Sequence, residues 1–120
     1  MKGFRKKLGA WGEELARKYF EEKGYEFVAS NWQKKSGEID LICRKENEIV
    51  FVEVKTRTTP AFGWGEDAVT KKKKEKISQT MDFFLLENEN YNGFFPRFDI
   101  LVVEIFSLRP RFVHFEDVEL

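Results

Sequence analysis

Apolar positions along the chain follow two periodicities. Leu8, Trp11, Leu15 and Tyr19 recur at helical spacing within residues 4–23, which predicts an amphipathic helix stopped by Gly24. Residues 25–32 (YEFVASNW) suit a first strand, and Gln33 to Gly37 makes a polar turn. Residues 38–44 (EIDLICR) and 49–55 (IVFVEVK) are rich in Ile, Val and Phe, and the polar Lys45-Glu46-Asn47-Glu48 stretch between them predicts a hairpin. Thr58 to Gly65 is a loop by its Pro and Gly content. A second helix is expected from about Glu66 to Glu87, with Val69, Ile77, Met81 and Phe84 on its buried stripe, and Asn88 to Gly93 forms another polar loop. Residues 98–106 (FDILVVEIF) are nearly all apolar, as in a strand covered on both faces, and residues 111–118 (RFVHFEDV) read as a half-exposed last strand.

The resulting order is α-β-β-β-α-β-β. The second helix is long enough to cross over the sheet and set the fourth strand parallel to a neighbour. The expected fold is therefore α/β, a mixed β-sheet flanked by helices. At 120 residues with no repeat, low-complexity tract or linker, residues 1–120 are expected to form a single domain.

Composition narrows the function. Charged residues are 35% of the chain, but 21 basic residues balance 21 acidic ones, so bulk attraction to nucleic acid is excluded and any such partner must be held by local patches. The single cysteine, Cys43, lies in an apolar strand, which excludes an internal disulfide and fits a reducing compartment. No signal-peptide core follows the basic N-terminus and no segment approaches membrane-spanning length, so we expect a cytoplasmic protein without a membrane partner.

The hairpin carries the chemistry. With its turn centred between Glu46 and Asn47, Asp40 falls directly opposite Glu53, and such neighbours stand roughly 4.5–5.5 Å apart between Cβ atoms. Lys55, two residues on, shares the face. A loop one residue longer would turn Asp40 to the other face. Glu53 continues the apolar face of Ile49 and Phe51, so a metal pocket is favoured there over a structural Glu53–Lys55 ion pair. Solvated positions account for Glu38 and Glu48. Asp40 and Glu53 offer hard oxygen ligands for Mg²⁺ or Mn²⁺, with Lys55 beside them to offset charge on a phosphodiester transition state. His114 is expected to pack rather than act as a base, and no phosphate-cradling glycine loop occurs.

Other charges divide more finely. Most of the Lys71–Lys76 run suits a solvated helix face, but Lys73 lies between Val69 and Ile77 on the inward stripe. It either snorkels along the core or points into the active-site end of the sheet. Glu13 shares its side of the first helix with Gly9, Gly12, Ala16 and Phe20, small enough in part to allow close approach to the sheet, which favours Glu13 over Glu14 as an inward carboxylate. Asp99 and Arg97 are expected to form a structural salt bridge.

Taken together, Gly12-Glu13-x-x-Ala16, Asn31, Gly37-Glu38-Ile39-Asp40-Leu41-Ile42, Phe51-Val52-Glu53-Val54-Lys55-x-Arg57, Ala68-Val69 with Lys73, and Arg97-Phe98-Asp99 resemble the YraN-like family of uncharacterised bacterial proteins. That family is similar to restriction-endonuclease-like nucleases and Holliday-junction resolvases. The resemblance implies a restriction-endonuclease-like fold, Asp40 and Glu53 as metal ligands and catalytic groups, Lys55 as the catalytic lysine, and Glu13 and the Val54 carbonyl as further ligands. It places Lys73 near the scissile phosphate, and Arg57, Lys72 and Lys76 join it as expected nucleic-acid contacts. The expected function is a Mg²⁺- or Mn²⁺-dependent endonuclease acting on DNA, in branched, flapped or damaged forms among others, with self-association into a homodimer. The alternative is a non-catalytic nucleic-acid-binding or scaffold protein that keeps the nuclease-like pocket. Hydrolysis of another phosphorylated compound is the third reading, disfavoured by the missing phosphate loop.

Overall fold

The computed structural model describes residues 2–59, 69–106 and 108–120. These form α1 (Lys2–Glu22), β1 (Glu26–Lys34), β2 (Gly37–Lys45), β3 (Glu48–Arg57), α2 (Lys71–Glu87), a 3-10 turn (Glu89–Tyr91), β4 (Phe95–Glu104) and β5 (Arg111–Phe115). The strands lie in sequence order in one five-stranded sheet. β3 and β4, joined through α2, are parallel, and every other pair is antiparallel. The expected element order and mixed sheet are thus observed, an arrangement compatible with a restriction-endonuclease-like fold.

Strand alternation builds the two faces of the sheet. Leu41, Cys43, Val50, Val52, Leu101 and Val103 turn toward Ala16 and Phe20 of α1. Ile42, Ile49, Phe51, Phe98, Ile100 and Val102 meet Ile77, Met81 and Phe84 of α2 on the opposite face. The central strands are thereby covered on both sides, which is why β4 reads as an almost unbroken apolar run. Cys43 is buried and its thiol is pushed up to about 12, by burial first and the nearby Asp99 second.

Several boundaries and faces differ from expectation. On α1 the buried stripe is Gly12, Ala16 and Phe20, with Leu8, Leu15 and Tyr19 half-buried at its margin and Trp11 exposed. A Cβ at Gly12 would overlap Thr56 Oγ1, so the helix seats on β3 along the side of Gly12, Ala16 and Phe20, the one expected to allow close approach. α2 begins at Lys71, because Thr70 is extended and its hydroxyl caps the helix by accepting from Lys73 N at 3.2 Å. Val69 and Thr70 precede the helix, and residues 66–68 of the expected start lie outside the described residues, as do residues 60–65 of the expected loop. β5 stops at Phe115 because the chain turns at Asp117, φ 51, whose N–H bonds to Asp99.

The Arg97–Asp99 salt bridge forms as expected, inside a larger network. Arg97 holds Asp99 through two bonds of 2.9 and 2.8 Å and reaches Glu48 at 3.1 Å and the Tyr25 hydroxyl at 2.7 Å. His114 Nε2 lies 2.6 Å from Asp99 and its Nδ1 3.0 Å from Tyr19 OH, so this histidine ties β5 to β4 and α1. Burial alone would raise the Asp99 carboxyl. The bonds from His114, Arg97 and Asp117 N–H outweigh it and hold the group below the usual carboxylate range.

Two predictions follow from this packing. Gly12→Ala should lower unfolding free energy by about 1–3 kcal/mol through overpacking, with part of the loss recovered in the Gly12→Ala/Thr56→Ala double variant, as read from urea denaturation. An unchanged midpoint would mean that α1 is not pressed on β3. Arg97→Met should cost about 3–5 kcal/mol by stranding buried Asp99, whereas Lys34→Ala, which breaks the exposed 2.6 Å pair with Glu87, should cost less than about 1 kcal/mol.

Candidate functional site

β2 and β3 keep the expected register, from Lys45↔Glu48 at the turn through Leu41↔Val52. The next positions along both strands are Asp40 and Glu53. The hydrophobic ladder ends there, and Asp40 Oδ2 accepts a 2.8 Å hydrogen bond from Val54 N–H. Burial first and Glu53 second raise the Asp40 carboxyl from 3.8 to about 7, Glu13 and Glu38 push the same way, and the Val54 N–H opposes them.

Asp40 lines two cavities. The one on the α2 side, of about 270 Å³, also exposes Ser36, Glu38, Glu53, Lys73, Lys76 and Thr80. The one on the α1 side, of about 350 Å³, is lined by Glu13, Glu14, Arg17 and Asn31 among others. Asp40 therefore sits where an acidic recess under α1 meets a recess edged by α2 lysines.

Glu13, Glu38 and Asp40 place one carboxylate oxygen each within 4.8 Å of one another. Glu13 arrives from the residue after Gly12, where α1 presses on Thr56. Glu38 follows Gly37, whose φ of 147 opens β2 from the tight turn. Asn31 Nδ2 donates to Glu13 Oε1 at 3.0 Å and to Glu38 Oε1 at 2.9 Å, and Gln33 Nε2 holds Glu38 Oε2 at 2.8 Å. Glu53 faces Lys55 instead, Oε1 to Nζ 3.4 Å, with only 21% and 15% of the side chains exposed.

The structure thus gathers Asp40, Glu53, Lys55, Glu13 and the Val54 backbone at one end of the sheet. It is the Val54 N–H that faces Asp40. Lys73 and Lys76 are exposed and line the cavity that also holds Asp40 and Glu53. Lys72 is exposed on α2 and lines neither cavity, and neither does Arg57, which ends β3 opposite Glu104. Glu14 stays outside the carboxylate trio and lies 4.0 Å from Lys18.

Two site residues escaped the sequence reading. Glu38, expected as a solvated charge, is half-buried and joins the trio, and Asn31, which carries only the family resemblance in the sequence, bonds to two of its members. For Glu38 the signal was its i, i+2 spacing from Asp40, which puts both on one strand face. Glu48, the other expected solvated charge, pairs with Arg97. An all-oxygen, acid-rich donor set fits a hard divalent cation such as Mg²⁺ or Mn²⁺ and fits zinc poorly.

The raised Asp40 carboxyl makes a stability prediction with a definite sign. Between 3.8 and about 7 this group is protonated in the fold and ionised in the unfolded chain. Its contribution is present in full below the lower value and is lost as pH rises through the upper one. Asp40→Asn should remove that loss and stabilise the metal-free protein near neutrality by roughly 1–3 kcal/mol, with little change near pH 4, as read from urea unfolding at the two pH values. A variant less stable than wild type at neutral pH would contradict the assignment.

Among the described residues no helix is long and apolar enough to cross a membrane. The profile of the family described as "Uncharacterised protein family UPF0102" matches residues 12–103, a stretch that begins at the helix-seating glycine and ends inside β4. A UPF0102 protein of Alkaliphilus oremlandii is 39% identical over 113 residues, 93% of this chain and 97% of its own length. One from Syntrophomonas wolfei is 42% identical over 100 residues, 83% of this chain and 84% of its own. Another, from Acinetobacter baumannii strain AYE, is 43% identical over 94 residues, 78% of this chain and 71% of its own. The YraN-like resemblance is borne out, and the chain belongs to the UPF0102 family.

Proposed function

We propose that this protein is a Mg²⁺- or Mn²⁺-dependent endonuclease that hydrolyses phosphodiester bonds in DNA, with branched or damaged DNA as its leading substrate class. The observation that carries the reading is that Asp40 and Glu53, the latter paired with Lys55, lie on the wall of a cavity that Lys73 and Lys76 also line. Carboxylates that would hold a cation and amines that would hold phosphate line one recess, which is what phosphodiester hydrolysis requires.

In this reading Asp40 and Glu53, with Glu13 and the Val54 carbonyl, hold the ion, which when bound supplies Lewis acidity at the scissile phosphate. Lys55 offsets negative charge that builds on the reacting phosphate and is oriented by its contact with Glu53. Lys73 and Lys76 grip the phosphate backbone from α2, and Lys72 and Arg57 extend the basic margin beyond the cavity. Asp40 must be ionised to serve as a ligand, so metal binding and cleavage should both strengthen as pH rises through neutrality.

Purified protein with Mn²⁺, and separately Mg²⁺, on labelled four-way junctions, flaps, single strands and plain duplexes provides the test. Wild type should cleave at least one branched form, Asp40→Asn and Glu53→Gln should each lower the rate by about 100-fold or more, and Lys73→Ala/Lys76→Ala should weaken binding and flatten its salt dependence. Cleavage that survives Asp40→Asn with Glu53→Gln would defeat the proposal. Tight, salt-sensitive binding without cleavage, indifferent to Lys55→Ala, would replace it with a non-catalytic nucleic-acid-binding or scaffold role.

A further inference from the structure

The Asn31 side chain lies between two carboxylates of the site. Its single amide nitrogen carries two protons, and the two acceptors within reach are carboxylates from different elements, Glu13 of α1 and Glu38 of β2. The opposite amide orientation would aim a carbonyl oxygen between two anions, so the acceptors themselves dictate which way the amide points. Asn31 adopts φ 49, a left-handed conformation that asparagine tolerates better than most residues. Gln33 then takes the remaining oxygen of Glu38.

The choice of residue type is informative. A lysine or arginine would also bind both carboxylates, but it would cancel the negative charge that makes them useful to a cation. An amide orients them and leaves their charge intact. We propose that Asn31 is a positioning residue that clamps Glu13 and Glu38 into one carboxylate set beside Asp40 for a divalent cation. This extends the metal-site reading of the previous subsection and rests on it. Glu38 thereby enters the site as a participant, and α1 is tied to the β1–β2 hairpin through the site itself.

Asn31→Gly provides the test, because glycine accepts the same backbone conformation and removes only the amide. Mn²⁺ affinity is measured by calorimetry for wild type, Asn31→Gly, Glu13→Gln and the double variant, with folding checked by circular dichroism and the Asn31 side-chain amide signals followed by NMR. Asn31→Gly should remain folded and bind Mn²⁺ about 10- to 100-fold more weakly, the range for loss of a group that orients a metal ligand. Once Glu13→Gln is in place, removing the amide should cost less than about 3-fold more, since both changes break one unit. Equal Mn²⁺ affinity in wild type and Asn31→Gly, or fully additive losses, would overturn the clamp alone. Wild type that binds no Mn²⁺ while its Asn31 amide signals respond to Glu13→Gln would instead overturn the metal-site reading, and the clamp's role with it.

Discussion

Mutual repulsion among carboxylates is the constraint around which this molecule is arranged. Asp40, Glu53, Glu13 and Glu38 converge on one end of the sheet from three different elements, and each added charge makes ionisation of Asp40 harder. Such a group stays assembled only if the backbone that presents it is held by other means. Some of those means are local. The Val54 N–H, the Asn31 and Gln33 amides and the Lys55 amine all donate toward carboxylate oxygens. The rest lies in packing, above all the apolar ladder that fixes β2 against β3 and the seating of α1 on Thr56 at Gly12.

A second buried aspartate shows how differently the same side chain is treated elsewhere. Asp99 is fully buried, yet its carboxyl is held below its usual range, while that of half-buried Asp40 is raised to about 7. Burial opposes ionisation in both. The difference lies in the neighbours: Asp99 receives donors from Arg97, His114 and the Asp117 backbone, whereas Asp40 has one backbone donor and three surrounding acids. Environments that drive like groups in opposite directions commonly separate a structural role from a chemical one. Asp99 locks β4, β5 and the chain beyond them together, and through His114 and Tyr19 it fixes the C-terminal part of α1. The helix that delivers Glu13 is therefore anchored by Tyr19 at one end and by the Gly12 contact nearer the site.

Much of this was legible in the sequence because it follows from periodicity. The β2–β3 register came from a polar stretch that admits a two-residue turn, and that register placed Asp40 and Glu53 together. The buried β4 came from an apolar run, and the crossover from the length of α2. What was not legible depended on contacts between distant elements. On α1 the bulky stripe is a poor guide, because Trp11 turns outward, while the side of Gly12, Ala16 and Phe20, which the sequence marks for close approach, is the one that is buried. The start of α2 was misread because the Thr70 cap competes with helical continuation of the preceding apolar pattern. β5 ran short because the Asp117 backbone is drawn to a buried carboxylate, an attraction invisible until Asp99 is known to lie beneath it.

Asn31 and Glu38 illustrate a deeper limit. Neither is unusual where it stands in the chain: an asparagine in a polar strand and a glutamate after a turn both suit solvent. Their meaning appears only when α1 lays Glu13 across them, so the information is shared among three segments and resides fully in none. The Glu53–Lys55 pair shows the converse. The alternation rule found it at once, yet a pair 3.4 Å apart serves equally as a structural bridge or as a poised base and ligand. Its surroundings bear on the choice. A structural bridge relieves charge, yet Asp40, on the wall of the same cavity as Glu53 and two lysines, is still pushed to about 7. The fold thus keeps repulsion in place around Asp40 of β2 while it supplies Asp99 of β4 with a full set of donors.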